Sequence, residues 1–131
     1  MILVDTSIWI DLFALKPRLA VRDEDFLRFA TCGPIVQEVL QGLRPGPRSD
    51  MLRTAFLALP VVGDPIPLDL FVSAADIYAQ GRRRGITIRS SIDCLIAAMA
   101  IENKVPVWHR DRDFQAIAKY TSLESTASWT V

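Results

Sequence analysis

The sequence predicts an α/β fold in which a mostly parallel sheet is covered by helices, and two observations support this. Short apolar runs that suit buried strands alternate with longer segments whose apolar residues recur at helical spacing. The 131 residues are 50% hydrophobic and 23% charged, a balance that is ordinary for a folded chain and excludes a disordered one. This length suits one domain, so we assign residues 1–131 to a single domain.

The first half of the chain begins with a strand and continues mainly with helices. The apolar run Ile2-Leu3-Val4 predicts a buried strand, and apolar spacing predicts a helix through residues 8–13. Residues 23–30 predict a second helix, because their acidic start complements the dipole of a helix N-terminus. The other elements expected here are a very short strand at 31–33, a helix at 34–43 that Pro34 begins, and a helix at 49–58.

The second half repeats the alternation of strands and helices. We expect a strand at 61–62, a long helix from Pro67 that ends before a left-handed Gly85, and a helix from Ser90 or Ser91 to about Asn103. The remaining elements expected are a strand at 105–108, a loop at 110–114, a short helix at 114–119 and a final strand containing Leu123.

Charge and cysteine content exclude several classes of protein. Fifteen Lys and Arg residues balance fifteen Asp and Glu residues, so any contact with nucleic acid must come from a local patch. Two cysteines with no CxxC pair make no disulfide framework and suit a reducing cytoplasm. The N-terminus lacks the basic residues of a signal peptide, and the longest apolar run, 94–101, is far shorter than the roughly 20 residues that span a bilayer. We therefore expect a cytoplasmic protein without a membrane segment.

Four carboxylates fall at the ends of predicted elements. Asp5 follows the first strand and Asp111 follows the strand at 105–108, while Asp93 lies in the first turn of a helix and Glu38 on a helix rim. Taken singly, each has an ordinary explanation as a helix cap, a dipole partner or a solvated surface charge. The carboxyl ends of parallel strands share one edge of a sheet, however, and ligands bind there.

Carboxylates that share a cleft repel one another. At ~4 Å a like-charge pair costs on the order of 4 kcal/mol at an effective dielectric of 20, so a cluster needs a cation or a raised pKa. Oxygen ligands alone favour Mg²⁺ or Mn²⁺, and the chain lacks the histidine and cysteine set that zinc prefers.

Four segments in order resemble the motifs of PIN-domain ribonucleases, specifically the VapC-type toxins of bacterial toxin–antitoxin pairs. The segments are DTSIWID at 5–11, IVQEVLQGL at 35–43, IDCLIAA at 92–98 and WHRDRDF at 108–114. Each motif is weak alone, but the four in this order are fairly specific and cover almost the whole chain. The resemblance implies a PIN-like three-layer sandwich and an Mg²⁺-dependent endoribonuclease.

The resemblance also implies which residues form the site. The acidic quartet of the family carries over onto Asp5, Glu38, Asp93 and Asp111 as catalytic and metal-binding residues. Within it we expect Asp5 and Asp93 to bind metal directly, and Glu38 and Asp111 to complete a second site or orient the attacking water. The supporting candidates are Thr6 or Ser7, as the hydroxyl that follows the first Asp, and Asp113, as a helper or substitute for Asp111.

Residues around the last acidic motif have other candidate roles. Arg110 and Arg112 flank it, so we expect them to contact RNA. The run 82–84 and Arg89 are further candidates for binding phosphates, but the run equally suits the C-terminus of a helix, where positive charge complements the dipole. The family often has Thr or Ser where this chain has His109, its only histidine, for which a structural role is favoured over RNA contact. Cys94 is expected in the core, and Trp9 in the core or at an interface.

The partners implied by the resemblance are a VapB-like antitoxin that covers a groove and blocks the acidic site, and a second copy of the chain in a homodimer. DNA contact is implied only through the antitoxin. Two alternatives compete with the nuclease. A haloacid-dehalogenase-like phosphatase also places an Asp after its first strand, but it needs a second Asp where this chain has Ser7. A catalytically inactive PIN-like binding module is disfavoured by the intact acidic set.

Overall fold

The computed structural model of the chain describes residues 1–128. Within that range its elements are β1 (Ile2–Val4), α1 (Thr6–Leu12), a 3₁₀ helix (Asp23–Arg28), β2 (Phe29–Ala30), α2 (Gly33–Gly42), α3 (Pro47–Leu57), α4 (Leu68–Arg83), α5 (Ser91–Glu102), β3 (Val107–Trp108), α6 (Arg112–Ala118) and β4 (Ser125–Thr126). No helix in this range is long and apolar enough to cross a membrane.

The four strands form one parallel sheet in the order β2-β1-β3-β4. Helices flank this sheet, so the predicted α/β fold is confirmed. β1 is buried along its whole length and lies between β2 and β3, with Leu3 opposite both Ala30 and Val107. Because the strands are parallel, the residues that follow β1 and β3 emerge at the same edge of the sheet, and the acids at 5 and 111 are among them.

Trp9 fixes α1 on the strand that precedes it. Its indole N–H donates a hydrogen bond to the carbonyl of Val4 at 2.9 Å, and its ring meets Phe29 and Phe56 edge to face at centroid distances of 5.9 and 5.2 Å. Such pairs add stability beyond the area they bury. Trp9 is 1% exposed and Cys94 is likewise buried in α5, which confirms both as core residues.

The strand predicted at 31–33 is wrong by two residues. The helical segment at 23–28 is a 3₁₀ helix that ends at Arg28, and β2 is formed by Phe29 and Ala30, which the sequence pattern assigned to the helix. Thr31 forms only an isolated bridge to Val61, so the strand predicted at 61–62 is also wrong. Pairing with β1 decides which apolar residues become strand, and local spacing does not contain that information.

The loop predicted at 110–114 is also wrong, because α6 already begins at Arg112. Asp111 caps this helix through a hydrogen bond from the backbone N–H of Asp113. The preceding strand is shorter than predicted and starts after Pro106, whose carbonyl instead accepts from the backbone of Leu3. Leu123 packs in the core, but it lies just before β4 and not in it.

Helix ends follow the predictions more closely. Gly85 adopts a left-handed conformation with φ of 78° beyond the end of α4, as expected of the residue that follows a helix. Pro34 is the second residue of α2, and Ser90 is the residue before α5, although its side chain makes no capping bond there. The run 82–84 lies at the end of α4, where Arg82 faces the ring of Tyr78.

The packing of α4 predicts a steric effect at Gly81. A Cβ atom there would lie 2.6 Å from the hydroxyl of Tyr120, which itself donates a hydrogen bond to the carbonyl of Ile77. We expect Gly81→Ala to lower the free energy of unfolding by about 1–3 kcal/mol in a urea titration. Gly42→Ala is the matched control, since its Cβ meets nothing within 4 Å at the end of α2. Equal stability of the two variants would contradict this packing.

Candidate active site

Asp5 links the first strand to the segment that follows β3. It caps α1, and its Oδ2 accepts hydrogen bonds from the Ser7 backbone at 3.2 Å and from the Ser7 hydroxyl at 2.7 Å. The Ser7 oxygen in turn accepts from the backbone N–H of Arg110 at 3.1 Å. Burial raises the pKa of Asp5, and the bonds from Ser7 partly offset that rise. Asp5 is thus a helix cap, which is its ordinary explanation. It is also linked through Ser7 to the segment that follows β3.

Three carboxylates converge beside this point. Asp93 in the first turn of α5, Asp111 before α6 and Asp113 within α6 each have an oxygen within 4.8 Å of the other two. We call these three residues the acidic cluster. Asp93 and Asp113 are buried, and Asp111 is partly exposed. The predicted candidates Asp93, Asp111 and Asp113 are therefore brought together by the fold.

Asp93 has an unsatisfied oxygen. Its Oδ2 is buried and has no hydrogen-bond partner among the described residues. Burial, followed by the charges of Asp5, Asp111 and Asp113, raises the pKa of Asp93 to about 8. A buried polar atom without a partner is costly, so this oxygen requires either a proton or a cation. The all-oxygen set of donors around it fits a hard divalent cation.

Glu38 lies on α2 and faces Thr6 of α1. It is partly buried, and its Oε1 accepts a long hydrogen bond of 3.4 Å from the hydroxyl of Thr6. Burial, and then the charge of Asp5, raises the pKa of Glu38. The negative charges of Asp5 and Glu38 repel each other, but both residues lie outside the acidic cluster.

One basic side chain, that of Arg89, faces the acidic cluster. Arg89 lies 3.7 Å from both Asp111 and Asp113, measured from guanidinium nitrogens to carboxylate oxygens. Arg110 pairs instead with Asp11 at 3.4 Å, and Arg112 is exposed at the start of α6. The sequence indicates Arg89 only as a candidate phosphate contact, because nothing in its spacing connects it to acids more than 20 residues away.

His109 serves the structure of the last motif. It is 3% exposed, its ring packs on Phe114, and its Nδ1 accepts a hydrogen bond of 3.2 Å from the backbone N–H of Asp111. Burial lowers the pKa of His109, which favours the neutral ring that this bond requires. The structural role predicted for His109 agrees with this position.

The chain is therefore an α/β protein whose acidic side chains gather where the parallel strands end, and they form a candidate metal centre. The family model of the PIN domain matches residues 2–120. The chain therefore belongs to the PIN domain family, which confirms the resemblance seen in its motifs and decides against the dehalogenase-like phosphatase.

Individual relatives narrow this assignment. The chain is 38% identical over 133 residues to Ribonuclease VapC11 of Mycobacterium tuberculosis, an alignment that covers 97% of this chain and 98% of the relative. The solved structure of VapBC-5, a toxin–antitoxin system from the same species, is 25% identical with a TM-score of 0.65 and covers 95% of both chains. VapBC-1 from Haemophilus influenzae shares the fold with a TM-score of 0.69 at 16% identity, covering 96% of this chain and 97% of that one.

The strained carboxyl of Asp93 predicts a stabilising substitution. An aspartate has a pKa near 3.9 in an unfolded chain, so a folded pKa of about 8 means that stability without metal falls as the pH rises from about 4 to 8. Asp93→Asn removes this loss. We expect its metal-free free energy of unfolding to exceed that of the wild type by about 2–5 kcal/mol at pH 8 and by less at pH 5, measured by urea unfolding in EDTA.

The control is Asp69→Asn, which changes an exposed first-turn aspartate of α4. It should lower the free energy of unfolding by no more than about 1 kcal/mol at both pH values, which is the loss of a favourable charge at the helix N-terminus. A clear fall in the metal-free stability of Asp93→Asn would make Asp93 a structural residue instead.

Proposed function

We propose that this chain is an endoribonuclease toxin that hydrolyses RNA phosphodiester bonds and uses Mg²⁺, with Mn²⁺ as a substitute. The observation that carries the proposal is the buried Oδ2 of Asp93, which faces other carboxylates and has no partner among the described residues. The ribonuclease names of relatives that match the full length of the chain support the same reaction. An inactive binding module would have no need to keep a repulsive cluster buried.

The residues proposed to hold the metal are Asp93, Asp111 and Asp113, with Asp5 beside them. A bound divalent cation supplies positive charge that offsets the charge of the scissile phosphate and makes water more acidic. The three oxygens of the acidic cluster lie close enough to share one cation. Asp5 is held at their side by Ser7, so the hydroxyl and backbone of Ser7 act by positioning a carboxylate.

Glu38 is proposed to orient the attacking water and accept its proton. Its raised pKa makes the carboxylate a better base at neutral pH than an ordinary surface glutamate. Thr6 donates a hydrogen bond to Glu38, while the next residue, Ser7, donates to Asp5. One turn of chain after β1 thus orients two carboxylates on two different elements. Arg110 and Arg112 are proposed to contact the RNA backbone at the rim of the site.

Cleavage of RNA tests this function. We expect the wild type to cut a mixed pool of RNA in Mg²⁺ and to leave it intact in EDTA, as seen on a denaturing gel. Asp5→Ala should reduce cutting to background in Mg²⁺, because it removes a carboxylate that adjoins the acidic cluster. Asp69→Ala, on the exposed side of α4, should cut like the wild type. RNA that is bound but never cut by the wild type would favour the inactive binding module.

An antitoxin is the proposed protein partner. A cavity of about 560 Å³ lies between α1, α2 and the start of α3, with apolar walls that include Ile10, Phe13 and Val39. Glu38 also lines it, so a segment bound there reaches the rim of the acidic site. We propose that the segment belongs to a VapB-like antitoxin and that DNA contact arises only through that partner. Cys32 and Cys94 are buried free thiols, which suits the reducing cytoplasm in which the toxin and its antitoxin would act.

A homodimer is the second proposed assembly. The outer face of α4 exposes Leu68, Phe71 and Val72 beside Ile92 of α5. Together these large apolar side chains form an exposed apolar patch, which is typical of a protein interface. We propose this face for contact with a second copy of the chain.

Replacing Phe71 by Asp should therefore weaken self-association. We expect the wild type to sediment as a dimer in analytical ultracentrifugation and Phe71→Asp as a monomer, because a charge buried at the interface is costly. Met51→Asp is the control, since Met51 is 68% exposed on a different helix, α3. A Phe71→Asp variant that remains dimeric would place the interface elsewhere.

A further inference from the structure

The short segment between α4 and α5 places Arg89 against the acidic cluster. The backbone N–H of Arg89 donates a hydrogen bond of 3.1 Å to Oδ2 of Asp113, a residue that is itself 5% exposed. The position of the Arg89 backbone is thus fixed by a buried carboxylate. Any motion of this residue at the site belongs to its long side chain.

The guanidinium group is held much more loosely than the backbone. Its Nη2 lies 3.7 Å from Oδ1 of Asp111 and its Nε lies 3.7 Å from Oδ1 of Asp113, both longer than a hydrogen bond. The side chain is 59% exposed to solvent. An exposed ion pair without hydrogen bonds is weak, so this guanidinium can leave the two carboxylates at little cost.

A cation and Arg89 would draw on the same carboxylates. The buried oxygen without a partner belongs to Asp93, and among the described residues no ion pair joins Arg89 to Asp93. A cation that satisfied Asp93 would therefore share Asp111 and Asp113, the two residues that Arg89 faces. Two positive charges within this small region repel, so each lowers the affinity of the other.

We propose that Arg89 is an internal counterion that competes with the divalent cation for Asp111 and Asp113 and, once displaced, binds a phosphate of the RNA. This inference rests on the proposed nuclease function. Without a cation, the guanidinium offsets part of the charge of the acidic cluster. With a cation, that charge is already offset, and the planar guanidinium, whose donors match phosphate oxygens, is free for the substrate.

Neighbouring arginines do not share this arrangement. Arg110 pairs with Asp11 and not with the acidic cluster, and the other oxygen of Asp11 accepts a hydrogen bond of 2.9 Å from the backbone of Leu19. Arg112 is exposed, and within residues 1–128 no ion pair connects it to the acidic cluster. Arg89 is therefore the side chain to test for competition with metal.

The first test measures metal affinity without RNA. Titration of the full chain with Mn²⁺, followed by electron paramagnetic resonance, should give a dissociation constant for Arg89→Gln that is about threefold to tenfold lower than that of the wild type. Arg89→Lys keeps the charge and should restore weaker binding. Arg53→Gln removes the same charge from the exposed face of α3 and should match the wild type. Circular dichroism confirms that each variant is folded.

The second test measures binding of a short single-stranded RNA by fluorescence anisotropy at several KCl concentrations. In Ca²⁺, with the RNA verified intact on a gel, Arg89→Gln should bind more weakly and lower the salt slope by about 0.7, the value for one lost phosphate contact. In EDTA, where Arg89 stays on the carboxylates, the slopes of the variant and the wild type should agree. Arg53→Gln should follow the wild type in both buffers.

The outcomes separate this inference from the function beneath it. If the wild type binds Mn²⁺ and Arg89→Gln binds it equally or more weakly, competition by Arg89 is wrong while the metal centre stands. Equal salt slopes in Ca²⁺ would remove the proposed phosphate contact. If the wild type binds no Mn²⁺ at all, the metal centre itself is wrong and the role of Arg89 falls with it.

Discussion

Mutual repulsion among buried carboxylates is the constraint on which the rest of this structure depends. Asp93 lies 7% exposed among three other acids, and one of its oxygens finds no donor in the described part of the chain. A protein core does not tolerate such a group without a compensating charge or proton. Neighbouring residues position the other carboxylates: Ser7 donates to Asp5, and His109 accepts from the backbone of Asp111. The exposed guanidinium of Arg89 lies near Asp111 and offsets part of the negative charge.

The scaffold meets this constraint through its sheet. Two adjacent parallel strands, β1 and β3, end at the same edge, and the chain leaving each carries an acid. The indole of Trp9 donates to the Val4 carbonyl and so holds α1 against β1, while Thr6 in the first turn of α1 contacts Glu38 of α2. α5 is buried along most of its length, so Asp93 is carried by a helix that is packed into the core. The packing energy of the core thus offsets the repulsion among the carboxylates.

The sequence predicts the class of fold and the order of its acids, because both depend on local patterns. Alternating apolar runs indicate a parallel α/β sheet, and Asp5, Asp93 and Asp111 stand at element ends that can be read from caps and spacing. The sequence does not predict which residues pair as β2, since Phe29 and Ala30 become strand only by pairing with β1. It also does not predict the place of Arg89, whose contact with Asp113 joins segments with no shared pattern. Long-range contacts of this kind are decided by tertiary packing.

A crystal of the protein soaked in Mn²⁺ tests the central claim most directly, because anomalous scattering locates the ion without assumptions about activity. If the acidic cluster holds a divalent cation, one strong anomalous peak will lie within about 2.5 Å of Oδ2 of Asp93 and of an oxygen of Asp111, with the guanidinium of Arg89 turned away. A peak located elsewhere, or no peak at all, would contradict a metal centre at Asp93.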